Sequence, residues 1–211
     1  MSFQGWPAEA LEFFEGLEAD NSKTYWTSHK DAYERCVREP LEQLLEELAP
    51  AYGEGKIFRP YRDVRFSPDK SPYKTHIGAI LEGGGYVQLS AEGLGAGSGR
   101  YVMSPGQLAR YREAVSDERR GATLEAVLAK LTRGGEIALM SHDRLKSAPR
   151  GYPKDHPRIE LLRNKSLAAW RQWPVEPWLG TAEAKKRVVQ FLKATRPLNE
   201  WLEANVGGEP D

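Results

Sequence analysis

The apolar residues of this 211-residue chain change period twice, and that change constrains the fold more than any single motif does. Trp6, Leu11, Phe13, Phe14 and Leu17 recur at helical spacing behind Pro7, a residue suited to a first helical turn, until Asn21 and Ser22 interrupt the pattern. From about Thr27 the period resumes through Tyr33, Val37, Leu41, Leu44, Leu45 and Leu48. Pro40 reads as a kink or as the first turn of a second helix, and Pro50 and Gly53 as the end. The pattern then shortens to runs bounded by Gly and Pro: Ile57 and Phe58 with Val64 and Phe66, then Ile77 to Leu81, then Tyr86 to Leu89. Such runs predict strands of an antiparallel sheet, with Gly83-Gly84-Gly85 as a hairpin turn.

Helical spacing returns at Ser104-Pro105-Gly106-Gln107, which has the form of a capping box and opens a helix to about Ser116. A second helix follows over Leu124 to Leu131, closed by Gly134 and Gly135, and Ile137 to Met140 reads as a strand. A short helix at Ile159 to Arg163, a strand at Ser166 to Trp173 and a long helix capped by Thr181, with Pro197 as a kink, complete the pattern. The expected class is α+β: a central antiparallel sheet packed with helices from both chain ends, in a single domain over 1–206, with 207–211 a disordered tail. Between the second and third predicted regions Gly93, Gly95, Gly97 and Gly99 alternate, so in an extended strand they leave one face bare. A ligand, an aromatic ring or another backbone would fit there.

Composition narrows function by exclusion. With 40% hydrophobic and 28% charged residues the chain belongs with ordinary globular proteins. It holds no run near the roughly 18 apolar residues that cross a bilayer, and its first residues lack a basic, then apolar, leader. A cytoplasmic location away from membranes is expected. Cys36 is the only cysteine, so no intrachain disulfide or thiolate metal cluster can form. The net charge of +0 excludes binding to nucleic acid by overall charge. Its distribution is uneven: residues 1 to 54 carry twelve acids against four bases, and the rest carries the balancing excess of bases.

That excess is concentrated in Arg59-Pro-Tyr-Arg-Asp-Val-Arg-Phe-Ser-Pro-Asp-Lys-Ser-Pro-Tyr-Lys-Thr75. If Tyr61 to Phe66 is extended, Arg62 shares a face with Val64 and Phe66, and Asp63 and Arg65 take the other with Arg59. An Arg62 turned inward needs a carboxylate, from Asp63, Asp69 or a helix glutamate. Ser67-Pro68-Asp69-Lys70 fits a type I turn, and Pro72 holds Ser71 extended, so the loop is stiff. A stiff loop presents Arg and Lys groups to a phosphate or carboxylate with little loss of side-chain freedom. The same residues, tied into Arg–Asp pairs, also make a purely architectural crossing loop.

A second proline-stiffened stretch, Lys146-Ser-Ala-Pro-Arg-Gly-Tyr-Pro-Lys-Asp-His-Pro157, places Arg150 and His156 near a helix start that Asp155 is expected to cap. Together the two stretches predict an anion site walled by Arg62, Arg65, Lys70, Lys74 and Arg150, with Asp63 or Asp69 orienting the cations. Tyr73 joins them as an acid or donor, and Asp69 and His156 are the first candidates for proton transfer. His29, His76, His142 and His156 are scattered without metal-ligand spacing, so no metal is expected; Ser141-His142-Asp143 is only a sequence neighbourhood. No motif implies a cofactor. Two rival uses of the same charges are a nucleic-acid-binding module with Tyr61, Tyr73 and Tyr86 as stacking platforms, and a scaffold that attracts a protein through its two-ended charge.

Phe3-x-Gly5, the run Arg62, Asp63, Arg65, Phe66, Asp69, Lys70, Pro72, Tyr73, Lys74, Thr75, and Lys146-x-x-Pro-Arg-Gly-Tyr152 with Asp155-His156-Pro157 resemble the domain-of-unknown-function family 2461. The likeness spans roughly Phe3 to Trp201, with Tyr25-Trp26 where members often carry Trp-Phe. The resemblance implies a stand-alone cytoplasmic domain. It implies no established activity.

Overall fold

The computed structural model describes residues 2–65 and 67–207. The expected inward packing of Phe66 and the tail over 208–211 therefore lie outside the described residues. The fold is α+β: seven α-helices and six strands among the described residues, the strands β1 (Gly55–Ile57), β2 (His76–Leu81), β3 (Gly85–Ser90), β4 (Gly93–Arg100), β5 (Ala138–Met140) and β6 (Leu167–Trp173) being hydrogen-bonded in the order β1-β2-β3-β4-β6-β5. No described helix is long and apolar enough to cross a membrane. Two compact units make up the chain, Met1–Ala96 with Gln172–Phe191, and Gly97–Arg171 with Leu192–Asp211.

In the first unit, Pro7 precedes α1 (Ala8–Ala19), as the sequence predicts, and buries Phe13, Phe14 and Leu17. Helix α2 (Lys23–Ala32) starts four residues earlier than its apolar period indicates. Ser22 supplies the cap, its side chain accepting from the Tyr25 amide at 3.1 Å. The helix widens into a π-helical turn at Tyr33–Arg38 before α3 (Glu39–Tyr52), so Pro40 sits in the first turn of α3, where its missing N–H costs nothing. Pro50 does not end α3. It lies in the last turn, and Gly53 closes the helix two residues after Ala51, its amide donating to the Ala49 carbonyl at 3.0 Å.

Strands β1 (Gly55–Ile57), β2 (His76–Leu81) and β3 (Gly85–Ser90) pair antiparallel, with Ile57 opposite Ala79 and Ile80 opposite Tyr86. Ile77, Ala79, Leu81, Val87 and Leu89 are buried, while His76, Ile80, Tyr86 and Gln88 alternate onto the other face with lower burial. The strand expected around Val64 is not formed. Between β1 and β2 the chain makes only an isolated antiparallel bridge, Tyr61 to Tyr73.

Two of the four alternating glycines of β4 (Gly93–Arg100) are required by the neighbouring strand. At Gly93 (φ 110°) a side chain would run into the Trp173 carbonyl of β6 (Leu167–Trp173), and at Gly99 (φ 119°) one would lie 2.6 Å from the Leu167 carbonyl. Another backbone fills both positions, and the positive φ values demand glycine.

In the second unit, Ser104 and Gln107 form the full capping box of α4 (Pro105–Ser116), and Asp117 caps α5 (Glu118–Thr132). Strand β5 (Ala138–Met140) pairs antiparallel with β6, and α6 is a single turn at Ile159–Leu162. The last helix, α7 (Glu183–Val206), follows Thr181, whose Oγ1 accepts from the Glu183 amide at 3.2 Å, and it runs through Pro197.

Candidate functional site

The segment between β1 and β2 is built on the Tyr61–Tyr73 bridge. Its ladder bonds run from the Arg62 amide to the Pro72 carbonyl (2.9 Å) and from the Lys74 amide to the Pro60 carbonyl (2.8 Å). Tyr73's own N–H and C=O therefore point away from Tyr61. Asn21, at the α1–α2 junction, meets both: its Oδ1 accepts from the Tyr73 amide at 3.0 Å and its Nδ2 donates to the Tyr73 carbonyl at 3.1 Å. The Asn21 amide thus plays the part of a missing strand. The Tyr73 ring is buried and lies parallel to Trp26, with centroids 4.5 Å apart and planes within 7°. Burial raises the pKa of its phenol, and the Tyr61 phenol adds to the rise.

Beyond the bridge, the acids of the motif take up two of its arginines. Arg65 binds Asp63 with two parallel bonds, Nε at 2.9 Å and Nη2 at 2.7 Å, and Asp63 also accepts from the Arg65 amide. These contacts, with help from the Arg59 charge, hold Asp63 below the usual carboxylate range. Arg62 pairs with Asp69. Asp69 accepts besides from the Ser71 hydroxyl (2.6 Å) and amide (2.9 Å). The Ser71 hydroxyl first, then Arg62, hold its carboxyl far below the ordinary range, which keeps Asp69 ionised. Pro68 makes a bend as expected, and just past it the Asp69 side chain ties residues 69–71 together through Ser71. Lys70 donates to the Val64 carbonyl at 3.0 Å.

Two cations of the segment remain. Arg59 and Lys74 make no ion pair with any described residue. They sit close enough to feel one another: the Lys74 ammonium has its pKa lowered by burial first and by the Arg59 charge second. Lys74 in turn adds to the burial that lowers the His76 imidazole. The Lys74 Nζ stands 5.5 Å from the centroid of Phe58, a large apolar ring left 41% exposed.

Arg150 and His156 belong to the second unit. Arg150 is exposed on a loop that turns at Gly151. Asp155 does not cap α6, a correction to the sequence expectation: the helix begins at Ile159, Arg158 occupies the N-cap without a side-chain bond, and the Ile159 amide donates to the His156 carbonyl at 2.9 Å. The Arg158 amide donates to the Nδ1 of His156 at 3.0 Å, which leaves the ring proton on Nε2. Arg158, rather than Arg150, is the enclosed cation of this unit, with Nε on Glu125 at 2.8 Å and its other nitrogens on the carbonyls of Val115, Asp117 and Glu118.

Sequence reasoning thus singled out Arg62, Asp63, Arg65, Asp69, Lys70, Tyr73 and Lys74, which the structure brings onto one loop in the first unit. It passed over Arg59, Phe58 and Asn21. The signal for Arg59 lay in a count: the segment from Arg59 to Thr75 holds five cations and two acids.

A family model described as "Conserved hypothetical protein (DUF2461)" matches residues 9–201. No curated protein matches the chain. A solved structure of a conserved hypothetical protein from Pyrococcus furiosus is 13% identical, covering 82% of this chain and 97% of its own, with a TM-score of 0.41.

Proposed function

This chain belongs to the DUF2461 family of conserved hypothetical proteins, and we propose that its first unit binds a small phosphorylated or carboxylated molecule at Arg59 and Lys74, on the rim of the stiff 59–75 loop. The observation that carries this reading is that two neighbouring cations make no ion pair with a described residue, Arg59 acting on Asp63 only at longer range, while Arg62 and Arg65 are each paired. Two like charges held together, one of them partly desolvated, weaken each other's charged form; an anion removes that cost. The paired Arg62 and Arg65 then shape the loop, and their exposed ion pairs are weak enough to open toward a bound anion. The proposed location is the cytoplasm, where such metabolites are abundant.

A small ligand suits this unit better than a polyanion. The unit carries thirteen Lys and Arg against eighteen Asp and Glu, a balance of −5, so its basic loop is a local feature on an acidic body. The burial of Tyr73 also removes one of the three rings a nucleic-acid strand would stack on.

The test is a melting-temperature titration at low salt with inorganic phosphate, ribose 5-phosphate and citrate. At ligand concentrations near 100 times Kd, stabilisation of about 2.7 kcal/mol is expected. The shift should vanish in the double variant Arg59→Ala/Lys74→Ala and persist in Arg65→Ala. A panel that never moves the wild-type protein, or a shift that survives the double variant, rejects the site.

A further inference from the structure

We infer that the ligand is a mononucleotide, whose base lies on Phe58 and Tyr86 on the open face of β1–β3 while its phosphate meets Lys74 and Arg59; this rests on the anion site proposed above. Phe58 and Ile80 are each 41% exposed on this face, beside Tyr86. Phe58 and Tyr86 form a tilted pair, with centroids 6.3 Å apart and planes at 38°. The Tyr86 ring lies flat over Gly78, which leaves room for it: a side chain at Gly78 would collide with that ring, whose Cζ lies 2.9 Å from the position of its Cβ. The Phe58 amide donates to the Gly78 carbonyl at 2.9 Å, which fixes the ring against β2. Tyr86 donates its hydroxyl to Gln88 Oε1 at 2.9 Å, orienting an amide at the margin of the platform where it can reach the edge of a heterocycle.

Charge decides which planar group fits. The Lys74 ammonium stands over the Phe58 ring, 5.5 Å from its centroid, so a planar group that takes its place on Phe58 turns the ammonium toward whatever that group carries at its edge. A base that carries a phosphate through its ribose meets both demands. A single platform on a unit with a balance of −5 suits one nucleotide rather than a strand.

The experiment is calorimetric titration of the full chain at about 50 mM salt, where phosphate contacts are strong, with inorganic phosphate, ribose 5-phosphate, AMP, CMP and a dT10 oligonucleotide. A nucleotide is expected to bind roughly tenfold or more tightly than ribose 5-phosphate, the gain that one base stack supplies. Phe58→Ala should erase that gain, so that AMP and ribose 5-phosphate bind the variant equally; because Phe58 is half-exposed, circular dichroism should show the variant folded. Gly78→Val, which lifts the Tyr86 ring off β2, should act the same way, and if it unfolds the chain, Phe58→Ala alone decides. Equal affinity for AMP, CMP and ribose 5-phosphate overturns the inference and leaves the anion site standing. Binding of none overturns both, and dT10 binding more than tenfold tighter than AMP assigns the face to single strands instead.

Discussion

Replacing Asn21 with alanine removes both partners that the Tyr73 backbone finds outside the Tyr61 bridge. The two bonds, at 3.0 and 3.1 Å, are partly shielded from water, so the stranded N–H and C=O regain only part of their hydration. At about 0.5–1.5 kcal/mol for each lost bond, Asn21→Ala should cost about 2 kcal/mol. For a chain of this length that corresponds to a fall of about 4–8 °C in Tm. Asn21→Asp separates donor from acceptor: it keeps the acceptor for the Tyr73 amide but sets a carboxylate oxygen against the Tyr73 carbonyl, so it should be no more stable than the alanine variant at neutral pH. Urea denaturation followed by circular dichroism gives the number, with an unchanged m-value showing that the folded state is otherwise intact. Because Lys74 follows Tyr73 in the chain, anion affinity should fall in the same variant. An Asn21→Ala protein within about 0.5 kcal/mol of wild type, the ordinary range for surface substitutions, would refute the view that this side chain acts as a substitute strand.

Glu47 holds Lys185 at 2.5 Å and the amide of Phe3 at 2.8 Å, and these bonds lower its pKa from 4.5 to about 2. A depressed carboxylate pKa stabilises above the unfolded value and loses its contribution as pH falls from about 4.5 toward 2; after discounting for solvent screening, Glu47→Gln should cost about 1–2 kcal/mol at pH 7 and much less at pH 2.5, and an equal cost at both would contradict the assignment. Gly121→Ala drives a methyl into the Val115 carbonyl and to within 2.7 Å of the Arg158 guanidinium; denaturation should show a loss of about 2–3 kcal/mol, and a neutral result would mean that Arg158 is not fixed. Ser104→Ala opens the capping box of α4 and should cost about 1 kcal/mol, with Ser104→Gly losing only a few tenths.

What the sequence discloses is what depends on near neighbours. The helical and strand periods, the Ser104 box and the turn at Gly83 all act within a few residues, and the structure places elements there. The α2 start was hidden because Lys23 and Thr24 add nothing to an apolar period, although Ser22 was the local cap signal. The loop from 59 to 75 was readable as cationic and stiff, but the division of its charges was not. Asp63 and Asp69 are each within reach of several arginines in sequence, and only the Tyr61–Tyr73 bridge decides which pairs form. That bridge is itself held by Asn21, 52 residues away, and by the stacking of Tyr73 on Trp26, neither of which leaves a periodic trace. Asp155 failed as a cap for a similar reason: the ring nitrogen of His156 takes the Arg158 amide, and the helix starts later.

The depressed Lys74 ammonium joins the architecture to the proposed chemistry and gives a sign that can be checked. Burial first, then Arg59, lower its pKa. A lysine whose folded pKa is depressed costs stability while it is charged, and that cost falls as pH rises from the folded value to the ordinary lysine value, above which it is gone. The free protein therefore carries a strained pair of cations at neutral pH. A phosphate placed beside them favours the charged form and raises the Lys74 pKa again. Binding must then draw in a proton at alkaline pH as Lys74 recovers its charge, and affinity must weaken as pH climbs through the Lys74 value of the free protein. Calorimetry of ribose 5-phosphate binding in two alkaline buffers with different ionisation enthalpies measures that proton directly. Uptake should appear in wild type and be absent from Lys74→Met, whose unbranched chain keeps the contact with Phe58; the same uptake in both proteins would place the titrating group elsewhere and separate the loop's charge pattern from ligand binding.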